Sequence, residues 1–205
     1  RLVIPYMNEA QFLVEEGATP EQVDRVLTGF GMAMGPLAVA DLSGIDVFWR
    51  IDQEKPRVPG AREPLGTTLL YNLSRYGQKT GSGWFRYGDD RKAQPDAEVA
   101  AMVQAEARKH GIQQRAISDD EIRDRCLFAL VNEGAKVLEE GLAARASDID
   151  VVYLTGYGFP SHRGGPMFYA DTAGLDRVLA RVREFGWTPA PLLERLAATG
   201  QRFCS

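Results

Sequence analysis

Two glutamates, Glu9 and Glu133, are the first residues of this sequence whose surroundings point to chemistry, because each lies in an apolar helical stripe. Glu133 has Ala129 four residues before it and Val137 four residues after it, so the three side chains share one helix face. A buried carboxylate must be paired or hydrogen-bonded. It serves either as a general base or as a structural acceptor for the N-terminal amides of a neighbouring helix. The recurrence of this acid in both halves of the chain favours the structural role.

The two histidines of the chain are His110 and His162, so a catalytic histidine has to be one of them. His110 follows a charged helical stretch and is expected in solvent. His162 follows Ser161 in a glycine-rich loop, and adjacency in sequence does not create a Ser–His pair in space. We therefore predict that neither histidine is catalytic.

Lys79 is the residue of the glycine-rich segments that could contact a phosphate or a ribose. It lies in the turn Gly77–Gly83 beside aromatic residues, although a solvated lysine in such a turn is the commoner case. None of the glycine-rich segments has the sequence pattern of a dinucleotide-binding or P-loop phosphate site. Cys126 and Cys204 have no cysteine or histidine nearby at metal-ligand spacing, so no metal site is predicted.

Hydrophobic periodicity and capping signals predict an all-α fold that would position these residues. The glycine-rich segment at 77–87 ends in alternating aromatic residues and is predicted to form one small turn or hairpin. A polar, proline-rich surface loop is predicted over residues 53–64. Helices are predicted over residues 2–16, 20–27, 65–75, 96–110, 118–141, 148–154, 171–185 and 188–196, with one more after Pro36 that runs through Phe48.

The second half of the sequence repeats the first. Length differences between the halves fall in predicted turns, which absorb insertions that packed helices cannot. We predict two tandem homologous helical bundles, residues 1–87 and 118–205, packed with pseudo-twofold symmetry like two subunits of a dimer. Residues 88–117 are predicted to form a linker and a connecting helix. The aligned residues are Asn8-Glu9 with Asn132-Glu133, Glu15-Glu16-Gly17 with Glu139-Glu140-Gly141, Asp24 with Asp150, Gly35-Pro36 with Gly165-Pro166, and Asp41, Gly44 and Asp46 with Asp171, Gly174 and Asp176.

Composition excludes several classes of protein. The chain has 205 residues, of which 44% are hydrophobic and 25% charged, as in ordinary globular proteins. Its net charge is −4 and its basic residues are scattered, which argues against a nucleic-acid surface. No apolar run reaches the roughly 18 residues of a membrane span. The two cysteines are far apart in the sequence and are most simply reduced thiols, so we expect a cytoplasmic location. The apolar run that opens at Arg1 predicts a longer parent polypeptide.

Both halves carry motifs that are specific in combination. In the first half they are Arg1–Tyr6, Glu9-Ala10, Met34–Pro36, Asp41, Gly44–Asp46 and Gly77–Tyr87, and in the second half Asn132-Glu133, Leu138–Gly141, Asp148–Asp150, Gly156–Pro160 and Arg163–Met167. The first set resembles the C-terminal helical domain of the L-3-hydroxyacyl-CoA dehydrogenases. The second set resembles another copy of that domain, and tandem copies are typical of multifunctional fatty-acid β-oxidation enzymes.

The resemblance implies NAD-dependent oxidation of a 3-hydroxyacyl-CoA to the 3-ketoacyl-CoA. The catalytic His–Glu pair of the family belongs to an NAD-binding Rossmann domain, expected before this chain, and a substrate-site asparagine is expected directly before Arg1. No catalytic residue is therefore assigned here. Lys79 matches the family lysine that approaches NAD, and Met34, Gly35 and Pro36 match the turn that borders the acyl pocket.

The resemblance also implies a role and partners. We expect the chain to close the substrate crevice, its second copy to replace a partner subunit's domain, and the chain alone to be inactive. The implied partners are a fatty acyl-CoA, its own N-terminal Rossmann domain and a thiolase subunit. Where some multifunctional members have a substrate-contacting tyrosine before the second Gly-x-Gly, this chain has Thr155. The alternative is a freestanding helical dimerisation or interaction module.

Overall fold

The computed structural model describes residues 1–54 and 60–204, and within them the chain is helical, which confirms the predicted all-α class. The helices are α1 (Val3–Glu15), α2 (Pro20–Phe30), α3 (Pro36–Ser43), α4 (Ile45–Glu54), α5 (Gly66–Asn72), α6 (Ala97–Lys109), α7 (Asp119–Glu139), α8 (Ala146–Gly156), α9 (Pro166–Ala173), α10 (Leu175–Glu184) and α11 (Pro191–Thr199). Two single 3-10 turns, Gln78–Thr80 and Ser161–Arg163, interrupt the loops.

The small β element begins in the predicted segment at 77–87 but extends beyond it. Strand β1 (Arg86–Tyr87) pairs antiparallel with β2 (Ala93–Gln94). Isolated bridges join Ser82 to Gly77 on one side and to Arg86 on the other. Strand β2 lies inside the stretch at 88–95 that composition predicted as a linker, so part of that stretch is ordered by pairing with β1.

Two predicted long helices are each divided at a glycine. The helix expected to run from after Pro36 through Phe48 ends at Ser43, and Gly44 adopts a positive φ of 101° before α4 begins. The helix predicted over 171–185 breaks in the same way at Gly174, where φ is 91°. Glycine tolerates this conformation because it has no Cβ, and the local sequence pattern does not show the break. The error occurs at equivalent positions of the two copies.

Smaller differences concern helix ends. Helices α2 and α8 are both longer than predicted, and α11 begins at Pro191 instead of at residue 188. The first two residues of the loop predicted over 53–64 belong to α4. Residues 55–59 of that loop, and the last residue of the predicted second bundle, lie outside the described residues.

The chain forms two compact units, each assembled from separate stretches of sequence. Unit 1 consists of Arg1–Glu9, Thr28–Ala33 and the residues from Arg123 onward, and unit 2 consists of Ala10–Leu27 and Met34–Ile122. The core of unit 2 is built on Leu13, Leu27, Leu37, Ile45, Leu70 and Trp84, and that of unit 1 on Phe128, Leu130, Ile149, Tyr153 and Met167.

A buried aspartate caps the helix that follows the Gly-Pro pair in each copy. Asp24 accepts hydrogen bonds from the backbone amides of Leu37 (3.0 Å) and Ala38 (2.8 Å) in the first turn of α3. In unit 1, Asp150 accepts from the amides of Met167 (2.7 Å) and Phe168 (3.2 Å) in α9. Helix N-terminal amides have no partner within their own helix and attract negative charge, so each aspartate stabilises its helix start.

The glycine before each of these helices is required by the aspartate beneath it. A Cβ on Gly35 would lie 2.1 Å from Cγ of Asp24, and one on Gly165 would lie 2.4 Å from Oδ1 of Asp150. The Gly-Pro pair and the aspartate therefore form one structural motif, although about ten or more residues separate them in each copy.

Two further pairs of carboxylates bind backbone amides at equivalent places. Asp41 accepts from the amides of Trp84 and Phe85, each at 2.9 Å, and Asp171 accepts from those of Phe203 and Cys204, also at 2.9 Å. Glu15 likewise accepts from the amide of Leu65 (2.7 Å) and Glu139 from that of Leu192 (3.3 Å). The copies thus share a hydrogen-bond pattern as well as a sequence pattern, while their pseudo-twofold packing stays a prediction.

We predict that Gly35→Ala lowers the free energy of unfolding by roughly 2–3 kcal/mol, since the added methyl group must displace the capping aspartate. Gly29→Ala is the matched control, because nothing lies within 4 Å of a Cβ at that exposed position in α2. There alanine should be neutral or stabilising by up to about 1 kcal/mol, from helix propensity. Urea unfolding of both variants measures the difference, and equal effects would contradict the proposed steric conflict.

The buried acids also make stability depend on pH. Burial raises the pKa of Asp24 from 3.8 to about 7, against the opposing effect of the Leu37 and Ala38 amides. The folded state therefore binds more protons than the unfolded state between about pH 4 and 7, and the free energy of unfolding falls as pH rises through this range.

We predict that Asp24→Asn removes roughly 2 kcal/mol of the decrease in stability between pH 5 and 7.5. Asp148→Asn is the control: its ion pair with Arg145 lowers the pKa of that carboxyl, which stays ionised throughout this range. Urea unfolding across the pH range tests the prediction. Parallel stability profiles for Asp24→Asn and the parent chain would show that Asp24 does not hold the proton.

Candidate functional site

Lys79 lies at the centre of the 3-10 turn Gln78–Thr80, held between Gly77 (φ 94°) and Gly81 (φ 74°). Its side chain is 49% exposed, so the ammonium group is accessible to a ligand. The ammonium forms a close ion pair with Asp46 in the first turn of α4 and lies 5.9 Å from the ring centroid of Tyr76. The structure thus presents an exposed cation on a turn of fixed shape.

The ion pair of Lys79 passes close to the glycine that separates α3 from α4. A Cβ on Gly44 would lie 2.9 Å from Nζ of Lys79 and 2.8 Å from Oδ1 of Asp46. The Lys79 ammonium lowers the pKa of Asp46, which keeps that carboxylate ionised. An ion pair of this exposure contributes little to stability, and its carboxylate can exchange for another anion.

Asp41 fixes the turn that carries Lys79. Besides the Trp84 and Phe85 amides, its carboxylate accepts a hydrogen bond from the Tyr87 hydroxyl at 2.9 Å. A Cβ on Gly83 would lie 1.9 Å from Oδ1 of Asp41, so the turn passes directly over the carboxylate. Burial raises the pKa of Asp41 to about 6, while the two amides and the tyrosine favour its ionised form.

The predicted substrate turn lies at the other end of α3. Met34 is 37% exposed, whereas Gly35 and Pro36 are buried at the start of the helix. Helix α3 has eight residues and is therefore roughly 12 Å long. It packs against the 3-10 turn of Lys79, so one short helix carries both predicted contact segments within unit 2. Their roles toward substrate and cofactor stay predictions.

Both candidate glutamates are ion-paired in unit 1. Glu9 accepts a 2.7 Å hydrogen bond from Nε of Arg125, and both side chains are buried. Glu133 is half-buried and accepts from Nε of Arg1 at 2.5 Å, and Arg1 also binds Glu140 at 2.7 Å. Pairing was predicted, but the partners shown are guanidinium groups and, for Glu133, also the ammonium group of Lys136 at 3.5 Å, and not the amides of a helix start. This arrangement supports a structural role for both acids.

The remaining candidate groups form no reactive cluster. His110 and His162 are exposed, and His162 follows Ser161 in a 3-10 turn. Cys126 is buried and Cys204 half-buried, and neither forms a disulfide. Among the described residues, no group of three metal-binding side chains lies close enough to hold an ion. Nor does this part of the chain contain a helix long and apolar enough to cross a membrane.

The position before the second Gly-x-Gly carries no tyrosine contact. Thr155 is exposed and its hydroxyl donates to the carbonyl of Val151 within α8. Tyr153 is buried, and its ring stacks on that of Tyr157 with centroids 4.9 Å apart. Burial raises the pKa of the Tyr153 hydroxyl, so this group stays protonated. Tyr157, which is 51% exposed, is the aromatic residue available to a ligand here.

Sequence reasoning missed the acids that organise the site. It singled out Glu9 and Glu133, whereas Asp24, Asp41 and Asp46 hold the helix start, the turn and the lysine, respectively. All three have a counterpart in the second copy, so their recurrence was the available signal. The sequence pattern could not show which distant group each aspartate binds. Asp24 and Asp41 bind backbone amides, and Asp46 binds the lysine ammonium.

The residues of this site could contact only one edge of an NAD molecule. Lys79 is an exposed cation suited to a phosphate or a ribose hydroxyl, with Asp46 as its present partner. The part of the chain that the structure describes has no glycine-rich turn between a strand and a helix, which a complete dinucleotide site requires. Most of any dinucleotide would therefore have to be bound by another domain.

Comparison with known proteins agrees with this description. The profile of the family "3-hydroxyacyl-CoA dehydrogenase, C-terminal domain" matches residues 1–87 and 122–202. The peroxisomal bifunctional enzyme of Danio rerio is 43% identical over 98% of this chain. The Arabidopsis thaliana peroxisomal fatty acid beta-oxidation multifunctional protein MFP2 is 34% identical over 93%. The chain spans 31% and 27% of the lengths of these two relatives.

A solved structure shows the same fold. The dehydrogenase part of multifunctional enzyme 1 from C. elegans aligns with a TM-score of 0.74 and 31% identity, over 95% of this chain and 46% of that one. The two curated relatives are named as peroxisomal, so they do not support the cytoplasmic location expected from composition. From the match of both halves to one family profile, this chain belongs to the family of 3-hydroxyacyl-CoA dehydrogenase C-terminal domains.

Proposed function

We propose that this chain is the substrate-closing, helical part of an NAD-dependent 3-hydroxyacyl-CoA dehydrogenase that acts in fatty-acid β-oxidation. The observation that carries the proposal is the family match of both copies, residues 1–87 and 122–202. The curated relatives, which are about three times longer, are named as bifunctional or multifunctional enzymes. The reaction would convert a 3-hydroxyacyl-CoA to the 3-ketoacyl-CoA, with NAD, bound mainly by an N-terminal Rossmann domain, accepting the hydride.

In this proposal, the two ends of α3 face two different ligands. The exposed ammonium of Lys79 would bind a phosphate or ribose of NAD, in exchange for part of its ion pair with Asp46. The turn Met34–Pro36 would border the acyl chain, with Met34 as its exposed apolar side chain. Closing a helical domain over the crevice of a dinucleotide domain excludes water and fixes the thioester relative to the cofactor.

The second copy has a supporting role in this proposal and takes the place of a partner subunit's domain. It shares the hydrogen bonds of the first copy, but between Gly186 and Cys204 it has no lysine to match Lys79. We divide the chain accordingly into a first domain at 1–87, a linker and connecting helix at 88–117, and a second domain at 118–205.

The proposed partners are a fatty acyl-CoA substrate, an N-terminal Rossmann domain of the same polypeptide and a thiolase subunit. The names of the relatives favour the peroxisomal matrix as the place of action over the cytoplasm. The acidic net charge and scattered basic residues give no reason to add a nucleic acid.

We predict that the isolated chain does not oxidise NADH with acetoacetyl-CoA, since it holds no catalytic residue of the reaction. The intact polypeptide, assayed under the same conditions, is the positive control. NADH consumption at 340 nm measures both. Turnover by the isolated chain would overturn the division of labour proposed here.

We predict that Lys79→Ala in the intact polypeptide raises KM for NAD about tenfold with little change in kcat, because one charge-assisted hydrogen bond contributes roughly 1.5 kcal/mol. Lys92→Ala is the matched control, an exposed lysine in the same unit that belongs to neither site segment. Steady-state kinetics measure both variants. An unchanged KM for NAD in Lys79→Ala would remove this residue from the cofactor site.

A further inference from the structure

A pocket of about 500 Å³ opens in the second copy, and all of its lining residues belong to unit 1. Its large apolar side chains are half-buried, so they face the pocket without being enclosed. Its charged groups are two exposed arginines at the rim, and its lining also includes Ser147 and Cys204. The residues that define this second-copy pocket are Leu138, Leu192, Leu196 and Phe203, with Arg145 and Arg202.

The shared hydrogen bonds identify the same place in the first copy. Leu192 corresponds to Leu65, because the amide of each is bound by the equivalent glutamate. Phe203 corresponds to Trp84, because the amide of each is bound by the equivalent aspartate. Helices α8 and α2, which begin beside the two places, each have 11 residues. The second-copy pocket therefore has a counterpart within unit 2.

In the first copy, the connecting helix α6 covers this place. The amide of Asp96, directly before α6, donates to Glu21 at 3.2 Å in the first turn of α2. Further along, Nε2 of Gln104 donates to the carbonyl of Ala18 at 3.1 Å, just before α2. Trp84 is fully buried there, whereas its counterpart Phe203 is half-buried. The same surface of the repeated fold is thus covered by a helix in one copy and open in the other.

The covering face of α6 defines what such a surface accepts. Val99, Val103 and Ala107 are spaced by four residues, form one stripe along α6 and are all fully buried. Apolar side chains at spacings of three and four anchor an amphipathic helix in a groove, and the stripe of α6 has this form with small side chains. The leucines that line the second-copy pocket provide an apolar floor of the matching kind.

The rim of the pocket adds a preference for charge. Arg145 pairs with Asp148, but Arg202 forms no ion pair among the described residues and is exposed. An acidic side chain beside the apolar stripe would meet Arg202, and complementary rim charges favour one partner over another.

We propose that the second-copy pocket binds an amphipathic helix of a partner protein, with small apolar residues at spacings of four and acidic residues beside them. The helix would occupy the place that α6 occupies in the first copy. Binding of a helix in this pocket does not depend on the dehydrogenase reaction, so failure of one proposal leaves the other standing.

The test uses the full chain and a fluorescently labelled peptide with the sequence of residues 96–110, whose apolar stripe and acids are those of α6. We expect saturable binding by fluorescence anisotropy. The chain's own α6 is tethered beside the first-copy surface, where its effective concentration of roughly millimolar excludes the added peptide. NMR shift changes at Leu192, Leu196 and Phe203 would locate the peptide in the pocket.

Three variants of the chain and one of the peptide make the test specific. Leu196→Glu, a half-buried position, should weaken binding at least tenfold, and Arg202→Glu should weaken it about threefold, as expected for floor and rim positions. Lys92→Glu carries the same charge reversal at an exposed residue that does not line the pocket and should leave binding unchanged. A peptide with Val103→Glu should not bind. Circular dichroism checks that each chain variant is folded. If Leu196→Glu does not fold, the surface variant Arg202→Glu alone tests the proposal.

Several outcomes of these experiments would contradict the helix proposal. Absence of saturable binding would overturn the proposal, and so would binding that neither Leu196→Glu nor Arg202→Glu weakens. Octanoate serves as a probe for a small amphipathic anion. If octanoate, but not the peptide, shifts the resonances of the pocket residues, the site takes a small ligand and the helix proposal is wrong.

Discussion

The structure depends on one repeated interaction, a buried or half-buried carboxylate that binds the backbone amides of a distant segment. Asp24 and Asp150 do this beneath a Gly-Pro helix start, and Asp41 and Asp171 do it beneath the last loop of each copy. Each carboxylate satisfies donors that would otherwise be buried without partners, and unpaired buried polar groups cost a large free energy. Short helices of eight residues, such as α3 and α9, have little stability of their own. Their ends are therefore fixed by these contacts more than by local propensity.

Sequence reasoning recovered the class, the repeat and most helices because those depend on local patterns. Capping signals at Thr19-Pro20 and Ser118, for example, placed α2 and α7 within one residue of their observed starts. The breaks at Gly44 and Gly174 escaped it, since the apolar pattern continues across both glycines and only a positive φ ends the helix. The candidate site shows the same limit. Lys79 could be singled out from its turn, but the geometry that brings Asp46 to it depends on packing at Gly44.

The two copies share their buried backbone contacts but differ in the side chains on their surfaces. On α4, Val47 is 43% and Ile51 49% exposed, so the first copy presents an apolar face to solvent. The equivalent positions on α10 are Arg177 and Arg181, which form ion pairs with the buried Asp124 at 3.0 and 3.3 Å. Buried amide contacts are hard to exchange, whereas a surface position tolerates such a change at little cost in stability. This difference agrees with unequal roles for the two copies.

The division into compact units does not follow the division into repeats. Arg1–Glu9 and Thr28–Ala33 come from the first copy but belong to unit 1 with the residues from Arg123 onward. Glu9 pairs with Arg125, and the amide of Ala33 donates to the carbonyl of Gly158 at 2.9 Å. During synthesis, these N-terminal segments leave the ribosome long before their partners exist. The start of α1 and the end of α2 therefore cannot form their native contacts until the second copy has been translated. Folding of the pair is thus a late event on the ribosome, and the nascent first copy is exposed to chaperones until then.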